Sequence, residues 1–208
     1  MPHLPLFLNL QGVLCLVVGG GAVGQRKAKT LLTAGAIIRL VCLEAPPNPH
    51  EFDCEWIQEP YRPEHLEGVR LVFAAATPEV NAQVVQDAKR HALWVNSASN
   101  PTTGDVFLPA VGRKGKIEIA VGTSGASPLA ARRICERLLK EVDDVTEQWV
   151  DFLGEIRVRL RATTLDEPAR RSLLQEFCSE SWREQIAQVG REGALARALS
   201  LVAARQRP

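Results

Sequence analysis

The stretch LCLVVGGGAVGQRKAKTLL, residues 14–32, leaves a chain few ways to fold. Residues 13–18 form a continuous apolar run of strand length, the pattern of a strand buried on both faces of a parallel sheet. Residues 22–34 carry helical spacing, with Val23, Ala28, Leu31 and Leu32 toward one side and Gly35 placed to end the helix. Between them, Gly19-Gly20-Gly21-Ala22-Val23-Gly24 fits G-x-G-x-x-G. In that pattern one glycine permits a sharp turn and one lets the backbone approach a pyrophosphate. The last lets the helix pack against the strand and aim its N-terminus at the phosphates. A bare glycine match is weak, but here a strand precedes it and a helix follows. A second strand, 37–43, ends at Glu44, 20 residues beyond Gly24, where a ribose-binding carboxylate is expected. A carboxylate repels a 2′-phosphate, so the reading favours NAD over NADP. Arg26 and Lys27, just inside the helix, either aid the phosphates or face solvent.

The alternation continues. Residues 69–76 and 93–98 read as buried strands, 79–92 as a helix between them, and the prolines of EAPPNPHE stop the second strand. This is the pattern of an α/β, Rossmann-like, doubly wound parallel sheet. Near residue 105 it changes. DVFLPA (105–110) and KIEIAVGT (116–123) look like strands, the second alternating Ile117, Ile119 and Val121 against Glu118 and Ala120. A helix then starts at Ser127-Pro128, a good N-cap followed by proline at the first helical position. From about 144 onward the chain reads as helical, with another helix start near Pro168. The expected organisation is an NAD-binding domain over 1–112, a small α+β domain over 113–145 and a helical domain over 146–208.

Composition removes several function classes. Net charge is +1, so no global field argues for nucleic acid. No apolar run approaches 18 residues, and the N-terminus lacks a basic region and a cleavage site. Neither a membrane span nor a signal peptide is expected. Cys15, Cys42, Cys54, Cys135 and Cys178 are odd in number and form no C-x-x-C pair, which fits reduced thiols in the cytoplasm and supports no zinc site. His50, His65 and His91 sit in no motif, and no metal site is assigned.

Several segments together carry a more specific signal than the glycines. HLPLFLNL followed by CLVVGGGAVGQRKAKTLLTAGA, then LVFAAATPEVNAQV, VNSASNPTTGDVFLPA and IEIAVGTSGASPLAARRICERL resemble the precorrin-2 dehydrogenases, both stand-alone enzymes and the N-terminal module of siroheme synthase. The resemblance covers most of the chain. It implies a Rossmann domain, an intertwined dimerisation domain, a small helical domain and a homodimer. The implied reaction is oxidation of precorrin-2 to sirohydrochlorin with NAD⁺, with Fe²⁺ insertion added in some members. It places Gly19, Gly21, Ala22, Val23 and Gly24 at the phosphates, Leu43 and Glu44 at the adenosine ribose, and Thr77 beside the nicotinamide. Thr123, Ser124 and Ser127 match the family's S-G-x-S-P loop, which with Asn96 is expected to border the substrate. Precorrin-2 bears eight carboxylates, so a hydroxyl-rich loop at a helix N-terminus, followed by Arg132 and Arg133, suits it chemically. Plain helix capping and solvated arginines are the competing readings of those residues.

One departure stands out. The family usually carries an aspartate three residues after the strand-end asparagine, Asn96 here, and this chain has Ser99 there. Asp105, six residues further on, matches a different, commonly acidic position. Serine cannot act as a carboxylate base near neutral pH. Ser99 and Asp105 are the candidate catalytic positions, with dehydrogenation expected and ferrochelatase activity weak or absent. Two other classes stand beside this reading: a tetrapyrrole carrier that has lost catalysis, and an NAD-sensing regulatory module, since the fold serves many functions.

Overall fold

The structure is a computed structural model that describes residues 3–44 and 53–206; the proline-rich stretch after Glu44 and His50 lie outside the described residues. The chain divides into two compact units, between Leu108 and Pro109.

In the first unit, β1 (Leu14–Val18), β2 (Ile37–Val41), β3 (Glu55–Ile57), β4 (Leu71–Ala74) and β5 (Trp94–Ser97) form one sheet. Their order is β3-β2-β1-β4-β5 and every pairing is parallel. Parallel strands need crossover segments, and α1 (Ala22–Thr33) and α2 (Pro78–Arg90) supply them. The two-residue period of β1 sorts its side chains to two cores. Cys15 and Val17 join Ala28 and Leu31 of α1, Ile38 and Phe73. Leu16 and Val18 join Val84 and Ala88 of α2, Val72 and Val95. Burial on both faces is why the strand reads as one unbroken apolar run. The strand order reverses beside β1, so its C-terminal end lies at the switch point where such sheets bind ligands.

Three details differ from the sequence reading. The second strand ends at Val41 rather than residue 43, because Leu43 emerges into solvent, 66% exposed. The short edge strand β3 was not expected. DVFLPA is not a strand: residues 105–109 run as loop with Phe107 and Leu108 partly in solvent, and pairing begins only at Ala110.

In the second unit, β6 (Ala110–Lys114) and β7 (Ile117–Val121) form an antiparallel hairpin, so Gly112 lies inside a strand. Gly115 opens its two-residue turn at φ +52°. The helix α3 (Pro128–Lys140) packs closely on the hairpin, because a Cβ on Gly112 would press on the side chains of Leu139 and Cys135. Helices α4 (Asp144–Arg161), α5 (Glu167–Phe177) and α6 (Glu180–Arg205) follow; the side chains of Asp143 and Asp166 cap the first two, while Ser179 at the start of α6 makes no side-chain cap bond. Their core is aromatic. Phe152 stacks on Trp182 with centroids 5.6 Å apart, and Phe177 meets Trp182 edge-on at 4.9 Å. The longest helix, α6, breaks its regular geometry at Gly190.

Candidate functional site

The glycines of the turn have separable jobs. Gly19 sits at φ +113°, and a Cβ there would lie 2.8 Å from Ala76 N, inside the backbone that follows β4. Gly24 faces the Gly19 carbonyl oxygen with no room for a Cβ, so the helix comes this close to the turn only because residue 24 is glycine. A Cβ on Gly20 would strike the Cys42 sulfur at 2.8 Å. Gly21 is different: its Cβ would meet nothing within 4 Å. No packing inside the described protein requires a glycine there, whereas close approach of a ligand does.

The start of α1 supports the same reading. Gly21 is its N-cap and offers no side chain to the first-turn amides, and no acidic residue stands in that turn. In contrast α2, α3, α4 and α5 each begin with a side chain that accepts a backbone N–H. The amides of Ala22, Val23 and Gly24 therefore face the turn without a side-chain acceptor, together with the positive end of the helix dipole. Gln25 braces the turn by donating to the Gly20 carbonyl at 2.7 Å. These residues fit a dinucleotide pyrophosphate. Arg26 is exposed. Lys27 turns instead toward the sheet, its ammonium 5.7 Å from the centre of the Phe73 ring, with its pKa held below the usual lysine value by burial and then by Arg26.

Leu43 and Glu44 emerge beyond the end of β2, and Glu44 is close enough that a Cβ on Gly20 would lie 3.3 Å from its carbonyl oxygen. Thr77 caps α2, accepting from Val80 N–H. Ser99 follows β5 and is exposed; its hydroxyl oxygen accepts from the Asn81 amide at 3.0 Å. These positions all gather at the C-terminal edge of the sheet.

Asp105 does not join them. Its backbone N–H donates to Val95 O, and its carboxylate lies 4.0 Å from Lys89. Ser99 contacts α2 at Asn81 and Asp105 contacts it at Lys89, eight residues or about 12 Å further along the helix. The two positions considered as catalytic are thus held apart. Asn96 is buried, and its amide donates to Val106 O at 2.7 Å, tying down the loop that follows β5. His3 stacks on Phe107 with centroids 4.3 Å apart. His65 is buried, bonded to Glu59 and to the Arg62 N–H.

In the second unit, the Thr123–Pro128 loop is internally bonded. The Thr123 hydroxyl accepts from Ser127 N–H and donates to Ser127 O, each at 3.1 Å, and Ser127 Oγ accepts from Ala130 N–H. Ser124 stands at φ +51° and Gly125 at +83°, so a non-glycine residue is held in the left-handed region at the exposed crest. Arg132 pairs with Glu136 at 2.9 Å in an exposed i,i+4 bridge, and Arg133 forms no ion pair among the described residues. Among those residues no group of three or more His, Cys, Asp or Glu stands close enough to hold a metal ion.

Asn81 is the residue that sequence reasoning passed over. It lies 1% exposed within the first turn of α2, and a lone asparagine in PEVNAQV gives no motif to find. The signal is three-dimensional: one side chain bonds two loops at the sheet edge.

Comparison with known proteins agrees with this geometry. Residues 6–110, about half of the chain, match a family described as putative NAD(P)-binding. The siroheme synthase of Photorhabdus laumondii is 31% identical over 181 residues, 85% of this chain and 38% of that protein. That of Methylococcus capsulatus is 31% identical over an alignment covering 100% of this chain and 46% of its own length. The chain thus spans less than half the length of these curated relatives. Among solved structures, SirC, a precorrin-2 dehydrogenase, superposes with a TM-score of 0.78 and 27% identity, covering 95% of this chain and 100% of that one. With the glycine turn, its uncapped helix and the matched segment in agreement, the chain belongs to the putative NAD(P)-binding family.

Proposed function

We propose that the chain is an NAD-dependent dehydrogenase that oxidises precorrin-2 to sirohydrochlorin, acting as a homodimer in the cytoplasm with neither nucleic acid nor membrane as a partner. The observation that carries this is the likeness to a precorrin-2 dehydrogenase along that structure's entire length, with the glycine turn intact. When bound, NAD⁺ supplies the hydride acceptor. The chain's own part is to hold and orient. Gly19, Gly21, Ala22, Val23 and Gly24 take the pyrophosphate, Leu43 and Glu44 the ribose, and Thr77 the nicotinamide side. The Thr123–Ser127 loop, Arg132 and Arg133 take substrate carboxylates. Arg133 has no competing acid among the described residues, and the exposed Arg132–Glu136 bridge is weak enough to exchange. Exposed Val111, Leu129 and Leu138 on the hairpin and α3 support a self-association surface. For the compartment, the five free cysteines fit a reducing environment, and no helix among the described residues is long and apolar enough to cross a membrane.

One observation favours a second reading. Ser99 supplies no carboxylate at the sheet edge, which suits a carrier that binds tetrapyrrole without oxidising it. An anaerobic assay with precorrin-2 and NAD⁺ separates the two, with Gly21→Asp as the cofactor-blocked control. NADH formed in step with sirohydrochlorin, and absent from the control, supports the dehydrogenase. Tetrapyrrole binding without NADH supports the carrier, and NAD⁺ binding without tetrapyrrole binding supports a sensing module. Added Fe²⁺ is expected to give siroheme slowly or not at all.

A further inference from the structure

We infer that Asn81 is a positioning residue that fixes the Ser99 hydroxyl as an outward hydrogen-bond donor, aimed at a carboxylate oxygen of the substrate. The inference rests on the proposed dehydrogenase reading for the identity of that substrate.

The argument starts from a group that cannot change its role. Ala76 N–H only donates, and it meets the Asn81 side chain at 2.8 Å, so the atom facing it must be the amide oxygen. The amide nitrogen is thereby turned the other way, and it only donates. It reaches the Ala76 carbonyl at 3.2 Å and Ser99 Oγ at 3.0 Å. Ser99 Oγ therefore accepts from Asn81, and its own proton cannot point there. Because Ser99 is exposed at the C-terminal edge of the sheet, that proton is presented outward. The clamp is rigid: Asn81 is buried, and the backbone it clasps at Ala75–Ala76 is the backbone that fills the missing Cβ space of Gly19. One asparagine thus links the cofactor turn, the loop after β4 and Ser99. Ser99 then recognises an anionic oxygen rather than removing a proton.

Steady-state kinetics with wild-type protein, precorrin-2 and NAD⁺ test this. Ser99→Ala is expected to raise KM for precorrin-2 about tenfold, the value of a hydrogen bond to a charged group, with KM for NAD⁺ unmoved. Ser99→Thr keeps a proton and an acceptor and holds KM near wild type. Ser99→Asp, an acceptor only, raises KM beyond the alanine variant. Asn81→Asp still accepts from Ala76 N–H but now captures the Ser99 proton, so it reproduces the Ser99→Ala value, and the double variant adds nothing further. Additive effects, or a lower KM in Ser99→Asp, overturn the inference. So does wild-type KM in a folded Asn81→Asp. Should Asn81→Asp not fold, the threonine, alanine and aspartate series at position 99 decides. A wild-type chain that binds sirohydrochlorin but forms no NADH fails the dehydrogenase reading alone, and the same variants are then compared by absorbance titration with sirohydrochlorin. A chain that binds neither tetrapyrrole overturns both.

Discussion

Gly24 and the Gly19 carbonyl oxygen are in contact across the turn, with no space for a Cβ between them, while Gly21 two residues after Gly19 faces open space. The two glycines therefore answer differently to substitution. Gly24→Ala drives its methyl into the Gly19 carbonyl and is expected to destabilise the first unit by about 1–3 kcal/mol as an overpacked contact. Gly21→Asp is expected to leave the fold intact, because residue 21 is an N-cap with extended backbone, where aspartate is at least as good as glycine. Nucleotide affinity in that variant should fall by roughly 100-fold, since a carboxylate then sits where the pyrophosphate charge is held. Thermal melts paired with NADH fluorescence titration separate the two. A Gly21→Asp protein that melts lower and still binds NADH contradicts the assignment of this glycine to the cofactor.

Glu44 is placed to choose between nucleotides. It leaves the end of β2 beside Gly20, the side of the turn on which this fold holds the adenosine ribose. Glu44→Arg is expected to lower the NAD⁺ to NADP⁺ ratio of kcat/KM by at least about tenfold, through lost repulsion and a gained charge-assisted contact. A wild-type protein that already prefers NADP⁺ removes Glu44 from this role.

Much of the first unit was legible because its physics is local. LCLVV is apolar without interruption because both faces of β1 are covered, and the glycines that follow admit few conformations. Gly35, and in the second unit Ser127-Pro128, marked helix ends by chemistry that acts within a few residues. What escaped depends on distant partners. The three residues of β3 form a strand only because β2 lies beside them, from Arg39 against Glu55 to Val41 against Ile57. In DVFLPA the apolar run suggested a strand, but Val106 alone packs into the core, and pairing is shifted to AVGRK, whose glycine and charges conceal it. The Asn81–Ser99 bond joins residues 18 apart in sequence, and the separation of Ser99 from Asp105 follows from which end of α2 each one meets.

The start of the helical bundle carries an acid-sensitive joint. Asp143 caps α4 by accepting from the hydroxyl and N–H of Thr146, each at 2.7 Å, and it pairs with Arg183 of α6. The two Thr146 bonds, and then the Arg183 charge, hold its carboxyl below the usual value of 3.8. A depressed carboxyl contributes stability that is complete above its unfolded pKa and is lost as pH falls through its folded one. Lowering the pH below about 4 should therefore loosen α4 and α6. Asp143→Asn retains a cap without the charge and should flatten that part of the pH response. Asp143→Ala loses both and should lower Tm near neutral pH by roughly 2–4 °C. Circular dichroism melts across the acid range read all three, and an asparagine variant with an unchanged acid limb removes Asp143 as the titrating group.

Ser124 separates strain from chemistry in the S-G-x-S-P loop. At φ +51° a non-glycine residue costs about 1–2 kcal/mol, and glycine avoids that cost while losing about 0.5–1 kcal/mol through its freer unfolded chain. Ser124→Gly should therefore stabilise the protein by about 0.5–1 kcal/mol, and Ser124→Ala should leave Tm near wild type because the strain persists. Both variants lack the hydroxyl. If that hydroxyl holds a substrate carboxylate, the two raise KM for precorrin-2 together although their melting temperatures part. Should KM rise only in the glycine variant, the held shape of the loop rather than its hydroxyl is what the substrate meets, and the strain at residue 124 is then part of the binding site.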